Sequence, residues 1–73
     1  MNEEIIYQFS KNKTEEVICT LKTWNDKTFF DIRVFYRNKN NELKPSSKGI
    51  CLSNERLPEF KMMIGLIEQY NYL

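Results

Sequence analysis

Two alternating runs joined by a short polar turn constrain the fold of this chain more than any other feature. The segment Glu16–Trp24 alternates with a period of two, as a strand does when successive side chains point to opposite faces. The next residues, Asn25–Lys27, include Asn and Asp, which accept the backbone angles of a tight hairpin. The segment Thr28–Tyr36 then returns with aromatic and β-branched residues, which suit a pleated surface. The pattern predicts an antiparallel β-hairpin.

The alternation also divides the hairpin side chains between two faces. One row of the first strand is apolar and is predicted to be core: Val17, Cys19 and Leu21. The other row contains Ile18, Thr20, Lys22 and Trp24. In the returning strand one row contains Phe30, Ile32 and Val34. The other row contains Phe29, Asp31, Arg33 and Phe35. We therefore predict a sheet with one covered face and one open face.

Two more strands flank the hairpin in the predicted order ββββα. Glu4–Phe9 is a short first strand that ends in a polar turn at residues 10–13. After a loop of about twelve residues containing Pro45, Lys48–Leu52 forms a short fourth strand, and Gly49 allows a bulge or a close backbone approach there. The predicted fold class is α+β, with four strands followed by one helix in a single domain spanning residues 1–73.

The carboxyl-terminal segment is predicted to be the helix. Ser53 is a good N-cap and Glu55 suits the positive end of the helix dipole, whereas Pro58 predicts a tightened first turn. At 100° per residue the apolar side chains span about 220°, far more than the stripe of about 100° that one sheet covers. They are Leu57, Phe60, Met62, Met63, Ile64, Leu66, Ile67, Tyr70 and Leu73.

The width of this apolar surface predicts a second copy of the chain against the helix. A chain of 73 residues has a thin core, and association into a two-fold dimer is a common source of extra stability. The alternative is a loosely amphipathic terminal helix that leaves some apolar residues exposed. The predicted dimer-interface residues are Phe60, Met63, Ile64, Ile67 and Tyr70.

Composition argues against several classes of protein. There is no His, and Cys19 and Cys51 cannot fill four zinc positions, so we expect no metal, no cofactor and two reduced, half-buried thiols. Scattered acids, a core-facing Cys19 and the absence of a glycine-rich phosphate loop favour a binding protein over an enzyme. With no signal peptide and no long apolar run, we expect a soluble cytosolic protein without membrane association, or a nuclear one in a eukaryotic host.

The charge is small overall but unevenly distributed. The net charge is +1, while Val34–Ser53 carries +3, from four basic residues and one acid. On the predicted open face Trp24 lies among Lys22, Lys27 and Arg33, and a planar ring among cations suits single-stranded nucleic acid. Two alternatives remain at this level: the lysines only increase solubility, and Trp24 only covers the end of the hairpin.

The stretch "FDIRVFYRNKNNELKPSSKGICLS" closely resembles the signature of the positive cofactor four family of transcriptional coactivators. The matching elements are "DIR", "KP" and "KGI" at the family's spacing, and the resemblance extends from about Val17 to Ile67. It implies a four-stranded antiparallel sheet followed by one long helix, in a homodimer paired through helices and strands. Such a dimer is expected to bind single-stranded or melted DNA with little sequence preference. Trp24 and Tyr36 stand at the family's stacking positions. The basic, phosphate-contacting positions hold Lys22, Lys27, Arg33, Lys44 and Lys48.

Departures from the family pattern qualify these expectations. Asn25 and Ser47 stand where basic residues are frequent, which predicts weaker and less salt-dependent binding. Tyr36 has the opposite parity to Arg33, so a twist or bulge must bring both to the DNA, or one of them is not a contact. The resemblance implies a role in transcription coactivation, transcription regulation or replication, and the sequence does not choose among them. The alternatives are a protein-interaction module for RNA polymerase or other transcription or replication proteins, and an RNA-binding protein.

Overall fold

The structure, a computed structural model, describes residues 2–71. Four strands run in chain order as β1 (Asn2–Ser10), β2 (Glu15–Trp24), β3 (Lys27–Arg37) and β4 (Leu43–Ser53). A 3-10 turn at Asn54–Arg56 leads into helix α1 (Leu57–Asn71). The strands form one antiparallel sheet in the order β1-β2-β3-β4. The α+β class and the ββββα order are confirmed, and β1 is longer at both ends than predicted.

The central hairpin forms as the alternation predicts. Asn25 and Asp26 have φ values of 51° and 63°, the left-handed conformation that a two-residue hairpin turn of this twist requires at both positions. The pairing of β2 with β3 runs without a break from Trp24 opposite Lys27 to Glu15 opposite Tyr36. The two predicted rows of each strand therefore align across the hairpin.

The predicted loop of about twelve residues before the fourth strand is wrong. β4 begins at Leu43, and only residues 38–42 connect it to β3. Asn38 closes this connection, because its Oδ1 accepts hydrogen bonds from the backbone N–H groups of Asn40 (2.9 Å) and Glu42 (3.0 Å). Pro45 lies inside β4, which is possible because an edge strand has one side without a ladder partner.

A register shift in β4 explains why its alternation is hidden in the sequence. Arg33 pairs with Gly49, but Phe35 pairs with Pro45, so β4 has two extra residues there. Ser46 fills the bulge: its Oγ donates to the backbone carbonyl of Val34 (2.7 Å) and accepts from the N–H of Lys48 (3.1 Å). At Gly49 a Cβ atom would lie 2.7 Å from the Ile32 carbonyl oxygen, so the expected close approach is confirmed.

The core is small and lies on both sides of the sheet. On the side that α1 approaches, here called the helix face, Phe30 is 4% exposed and its ring meets that of Phe60 edge-on at 5.2 Å. On the opposite side, here called the cleft face, Ile18 is 5% exposed. The prediction that the Val17 row is the core of β2 is therefore wrong. That row is only half-buried: Phe60 is the one residue of α1 that is not exposed, and the ring it contacts belongs to Phe30 of β3.

Helix α1 begins as predicted, but almost all of its side chains are exposed to solvent. Ser53 Oγ accepts a hydrogen bond from the Glu55 N–H (3.3 Å), and the 3-10 turn places Pro58 in the first turn of α1, where its missing N–H costs no bond. Phe60 is the one half-buried residue of Leu57–Asn71, and all the others are exposed. Leu73, part of the predicted apolar surface, lies outside the described residues. Between residues 2 and 71 there is no helix of the length and apolarity needed to cross a membrane.

The two thiols differ in environment. Cys19 is half-buried on the helix face, opposite Ile32, as predicted. Cys51 is exposed and pairs with Asp31 on the cleft face, so the expectation of a half-buried thiol is wrong for this residue. Burial, and secondarily the charge of Asp31, raise the pKa of the Cys19 thiol. Because the two side chains lie on opposite faces of the sheet, they cannot form a disulfide within one chain.

Candidate nucleic-acid interface

The cleft face forms an open cleft of about 750 Å³. Ile18 is buried beneath it, and the register places Thr20, Lys22, Arg33 and Phe35 on this same side of the central hairpin. The first strand and the β4 bulge border the cleft. Among residues 2–71 the cleft is lined by Glu3, Ile5, Ile18, Thr20, Lys22, Asp31, Arg33, Phe35, Pro45 and Ser46.

Arg33 is held by its neighbours within the cleft. Its Nε and Nη2 donate to the two carboxylate oxygens of Asp31 at 3.1 Å and 2.9 Å, and its Nη1 donates to the Ser46 carbonyl at 3.0 Å. Asp31 is only 3% exposed. Hydrogen bonding to Asp31, reinforced by its charge, raises the pKa of the Arg33 guanidinium. This cation therefore ties β3 to the β4 bulge, and its charge is largely balanced.

Three predicted binding residues gather at the hairpin end of the cleft face. Trp24 is 58% exposed, and it lies two residues along the same row from Lys22 and directly opposite Lys27. Lys22 lies 3.5 Å from a carboxylate oxygen of Glu3, whereas Lys27 makes no ion pair with any residue of the described range 2–71. A large exposed ring is thus flanked by two lysines, one of them unpaired.

The other predicted residues lie at the far end of β3, with Tyr36 and Lys44 on the helix face. Tyr36 pairs with Lys44, and β3 has no bulge against β2, so Tyr36 remains on the side opposite Arg33. The shift lies in β4 and does not change the parity of β3. Lys48 lies in the β4 bulge, where no partner in β3 is assigned to it. The pKa of Glu15, which pairs with Tyr36, is lowered mainly by a hydrogen bond from the Asn12 side chain and to a smaller extent by the charges of Lys11 and Lys48. One chain therefore presents two separate groups: Lys22, Trp24, Lys27 and Arg33, and then Tyr36, Lys44 and Lys48.

The structure adds cleft residues that the sequence reasoning did not assign to the site. Phe35 is half-buried beside Arg33. Its place in the site could have been predicted, because it lies two residues after Arg33 and so on the same face of the strand. Ile5 was not predictable in this way, because the β1–β2 register shifts between Ile5 and Tyr7 and reverses the parity of the strand. Glu3 and Asp31, both acidic, were also missed. They matter because each is paired with a cation of the cleft.

Nothing in the described part of the chain resembles a site for a metal ion: residues 2–71 contain no cluster of three or more His, Cys, Asp or Glu side chains. The half-buried Cys19 is a poor nucleophile, because its raised pKa disfavours the thiolate. What the site offers is exposed rings, lysine ammonium groups and a partly apolar cleft. Side chains of these types are suited to binding a ligand through ring stacking and charge.

A four-stranded antiparallel meander followed by one helix, with aromatic and basic side chains on exposed parts of the sheet, defines a small ββββα module of the α+β class. The family model described as Transcriptional Coactivator p15 (PC4) matches residues 11–63, and the chain belongs to this family. No curated protein sequence matches the chain.

Solved structures share this fold at low sequence identity. A PC4 homolog from Burkholderia pseudomallei K96243, in its tetragonal crystal form, has a TM-score of 0.81 and 16% identity, covering 92% of this chain and 98% of that one. The orthorhombic crystal form of the same protein has a TM-score of 0.77 and 17% identity, covering 89% of this chain and 88% of that one. A third structure is the bacteriophage T5 homolog of the eukaryotic transcription coactivator PC4, which is implicated in recombination-dependent DNA replication. It has a TM-score of 0.68 and 14% identity, covering 99% of this chain and 81% of that one.

Proposed function

We propose that this protein is a homodimeric, non-enzymatic protein that binds single-stranded or melted DNA without sequence preference. One observation carries the proposal: the exposed Trp24 ring lies on the open side of the sheet with Lys22 and Lys27 beside it. Unpaired bases stack on such a ring while ammonium groups hold the phosphates. A duplex keeps its base faces stacked inside, so it gains little from the same arrangement.

The second group, Tyr36 with Lys44 and Lys48, extends the binding surface to the helix face. Along β3, Tyr36 is nine residues from Lys27, a path of about 30 Å at the usual rise per residue. A single strand of DNA that contacts both groups therefore passes around the sheet or across two copies of the chain. We propose that it uses both copies.

The helix supports a dimer. Apart from Phe60, no residue of α1 is covered, and Tyr70 is 72% exposed. On the helix face of the sheet Tyr7, Phe9 and Ile50 are also exposed. Apolar surface on this scale is typical of protein interfaces. We propose that a second copy covers α1 and part of this face, with Met63, Ile64, Ile67 and Tyr70 in the interface and Phe60 shared with the sheet of its own chain.

The physiological role is proposed from the relatives. The phage T5 protein is a homolog of the eukaryotic transcription coactivator PC4 and is implicated in recombination-dependent DNA replication. We propose that this chain acts on single strands in transcription or replication, with polymerase or other proteins of those processes as partners. The binding chemistry is the same in either role.

The test of DNA binding uses the single tryptophan of the chain. Adding oligothymidine should quench Trp24 emission. In fluorescence anisotropy with a labelled oligonucleotide, Trp24→Ala should weaken binding by about 1–3 kcal/mol, while Trp24→Phe, which keeps a ring, should lose less. Unchanged emission at saturating oligonucleotide would refute the proposal. Equal affinity for oligouridine would favour RNA, and affinity that hardly responds to salt would favour a protein-interaction module.

The test of the dimer is sedimentation at micromolar concentration. Ile67→Lys should shift the equilibrium toward the monomer of 8.8 kDa, because it places a charge in the proposed interface. Gln69→Lys adds the same charge to the same helix at a polar position and should leave the mass unchanged. A wild-type protein that sediments only as the monomer would exclude the proposed dimer.

A further inference from the structure

The cleft contains as many acidic as basic side chains, which is unexpected for a surface that binds DNA. In the part of the chain that the structure describes, its charged lining residues are Glu3, Lys22, Asp31 and Arg33, two of each sign. Each cation has its own carboxylate: Lys22 lies 3.5 Å from Glu3, and Arg33 lies 2.9 Å from Asp31. A phosphate entering the cleft therefore meets cations that are already paired.

The two pairs differ in how readily they separate. Asp31 is 3% exposed and receives two hydrogen bonds from Arg33, which a third bond anchors to Ser46. Taking Arg33 from this pair would leave a buried carboxylate without its partner, which is unfavourable. The Glu3 side chain is 57% exposed, and its contact with Lys22 is a single 3.5 Å ion pair. Such a surface pair is weak and opens easily in water.

The register of β1 explains why Glu3 reaches Lys22 and its neighbour does not. Glu3 pairs with Lys22, while Glu4 pairs with Leu21 and so points to the helix face. Directly opposed side chains in an antiparallel pair are close enough to interact. The two adjacent glutamates therefore differ in position: one lines the cleft and the other lies on the opposite side of the sheet.

We propose that Glu3 competes with the phosphates of a bound strand for Lys22 and thereby lowers the affinity of the cleft for DNA. This inference rests on the proposed function. In the absence of DNA the carboxylate of Glu3 forms an ion pair with the ammonium group of Lys22. A phosphate binds there by displacing Glu3, so the cation contributes less to binding than an unpaired lysine does. A residue of β1 thus weakens the binding of DNA to a surface that β2 and β3 form.

The expected size of the effect follows from counterion release. Each cation made available to a single strand steepens the dependence of log K on log salt by about 0.7. Glu3→Gln should bind oligothymidine more tightly than wild type, and its slope should be steeper by up to about 0.7. Between 50 and 200 mM salt its advantage should therefore shrink by up to about 2.6-fold.

The experiment compares Glu3→Gln with Glu4→Gln, which has the same net charge, by anisotropy titrations from 50 to 200 mM salt. Only Glu3→Gln should steepen the slope. Lys22→Gln should weaken binding, and Glu3→Gln in the Lys22→Gln background should then have no more effect than Glu4→Gln. Circular dichroism melts check that each variant is folded.

Two results separate the inference from the function on which it rests. If wild type binds oligothymidine but the two glutamate variants behave alike, the effect is one of net charge and the competition is refuted while the proposed function stands. The same conclusion follows if Glu3→Gln retains its full effect without Lys22. If wild type does not bind oligothymidine and its Trp24 emission does not change, the proposed function fails, and the competition fails with it.

Discussion

Replacing Gly49 by Ala tests how β4 is attached to the sheet. Gly49 pairs with Arg33 next to the β4 bulge, and its φ is not positive, so its backbone conformation is open to any residue. The constraint is space. A Cβ at this position would lie 2.7 Å from the Ile32 carbonyl oxygen and 2.9 Å from Arg33 Cα.

The magnitude follows from those distances. Both neighbouring atoms belong to the backbone of β3, which cannot turn aside as a side chain can, so β4 must move outward by several tenths of an ångström. Overpacking of this kind typically costs about 1–3 kcal/mol. For a domain of this size the melting temperature should fall by roughly 4–8 °C for each kcal/mol. The shift should also lengthen the 3.0 Å bond from Arg33 to the Ser46 carbonyl.

Urea denaturation followed by circular dichroism measures the change. Because the stability of the proposed dimer would depend on concentration, all variants are compared at one chain concentration. The matched control is Ser47→Ala, an exposed position in the same strand, which should change stability by less than about 0.5 kcal/mol. If Gly49→Ala is as stable as Ser47→Ala, the close approach of β4 to β3 does not exist and the reasoning is refuted.

Two further predictions concern the β1–β2 turn and the thiols. The Asn12 side chain accepts from the N–H groups of Thr14 (3.0 Å) and Glu15 (2.9 Å), so Asn12→Ala should cost about 1 kcal/mol in urea denaturation; a change near zero would contradict this. Its amide also donates to Glu15, and this bond is the main reason that the Glu15 pKa is lowered, so NMR titration should find that pKa higher in Asn12→Ala. The stability contributed by Glu15 is present above its unfolded pKa and is lost as pH falls through the lower folded pKa. Iodoacetamide should modify exposed Cys51 well before Cys19, whose pKa burial raises, and Cys51→Ser should leave only the slow reaction.

Local chemistry made much of the fold predictable. The alternation of Glu16–Trp24, the turn at Asn25 and Asp26 and the cap at Ser53 each depend on residues close together in the chain, and all three were confirmed. The extent of β4 was not predictable in this way. Pro45 and the bulge at Ser46 interrupt its pattern, and only pairing with β3 shows that the segment is a strand.

The candidate site was likewise predictable in some features and not in others. Its residue types and the match of residues 11–63 to the PC4 family can be found from sequence, as can the shared parity of Lys22, Trp24 and Arg33. What each side chain contacts depends on strands far apart in the chain. The pairing of Arg33 with Ser46 and of Lys22 with Glu3 follows from the sheet order and from the two register shifts, in β1 and in β4.

The amino-acid sequence by itself determined the order of the elements, the hairpin and the family, because turns, caps and alternation act over a few residues. Only the tertiary structure decided which row is buried, which cations are already paired and which face each aromatic ring occupies. Those properties depend on register, and a shift of one residue moves every following side chain of a strand to the other side of the sheet.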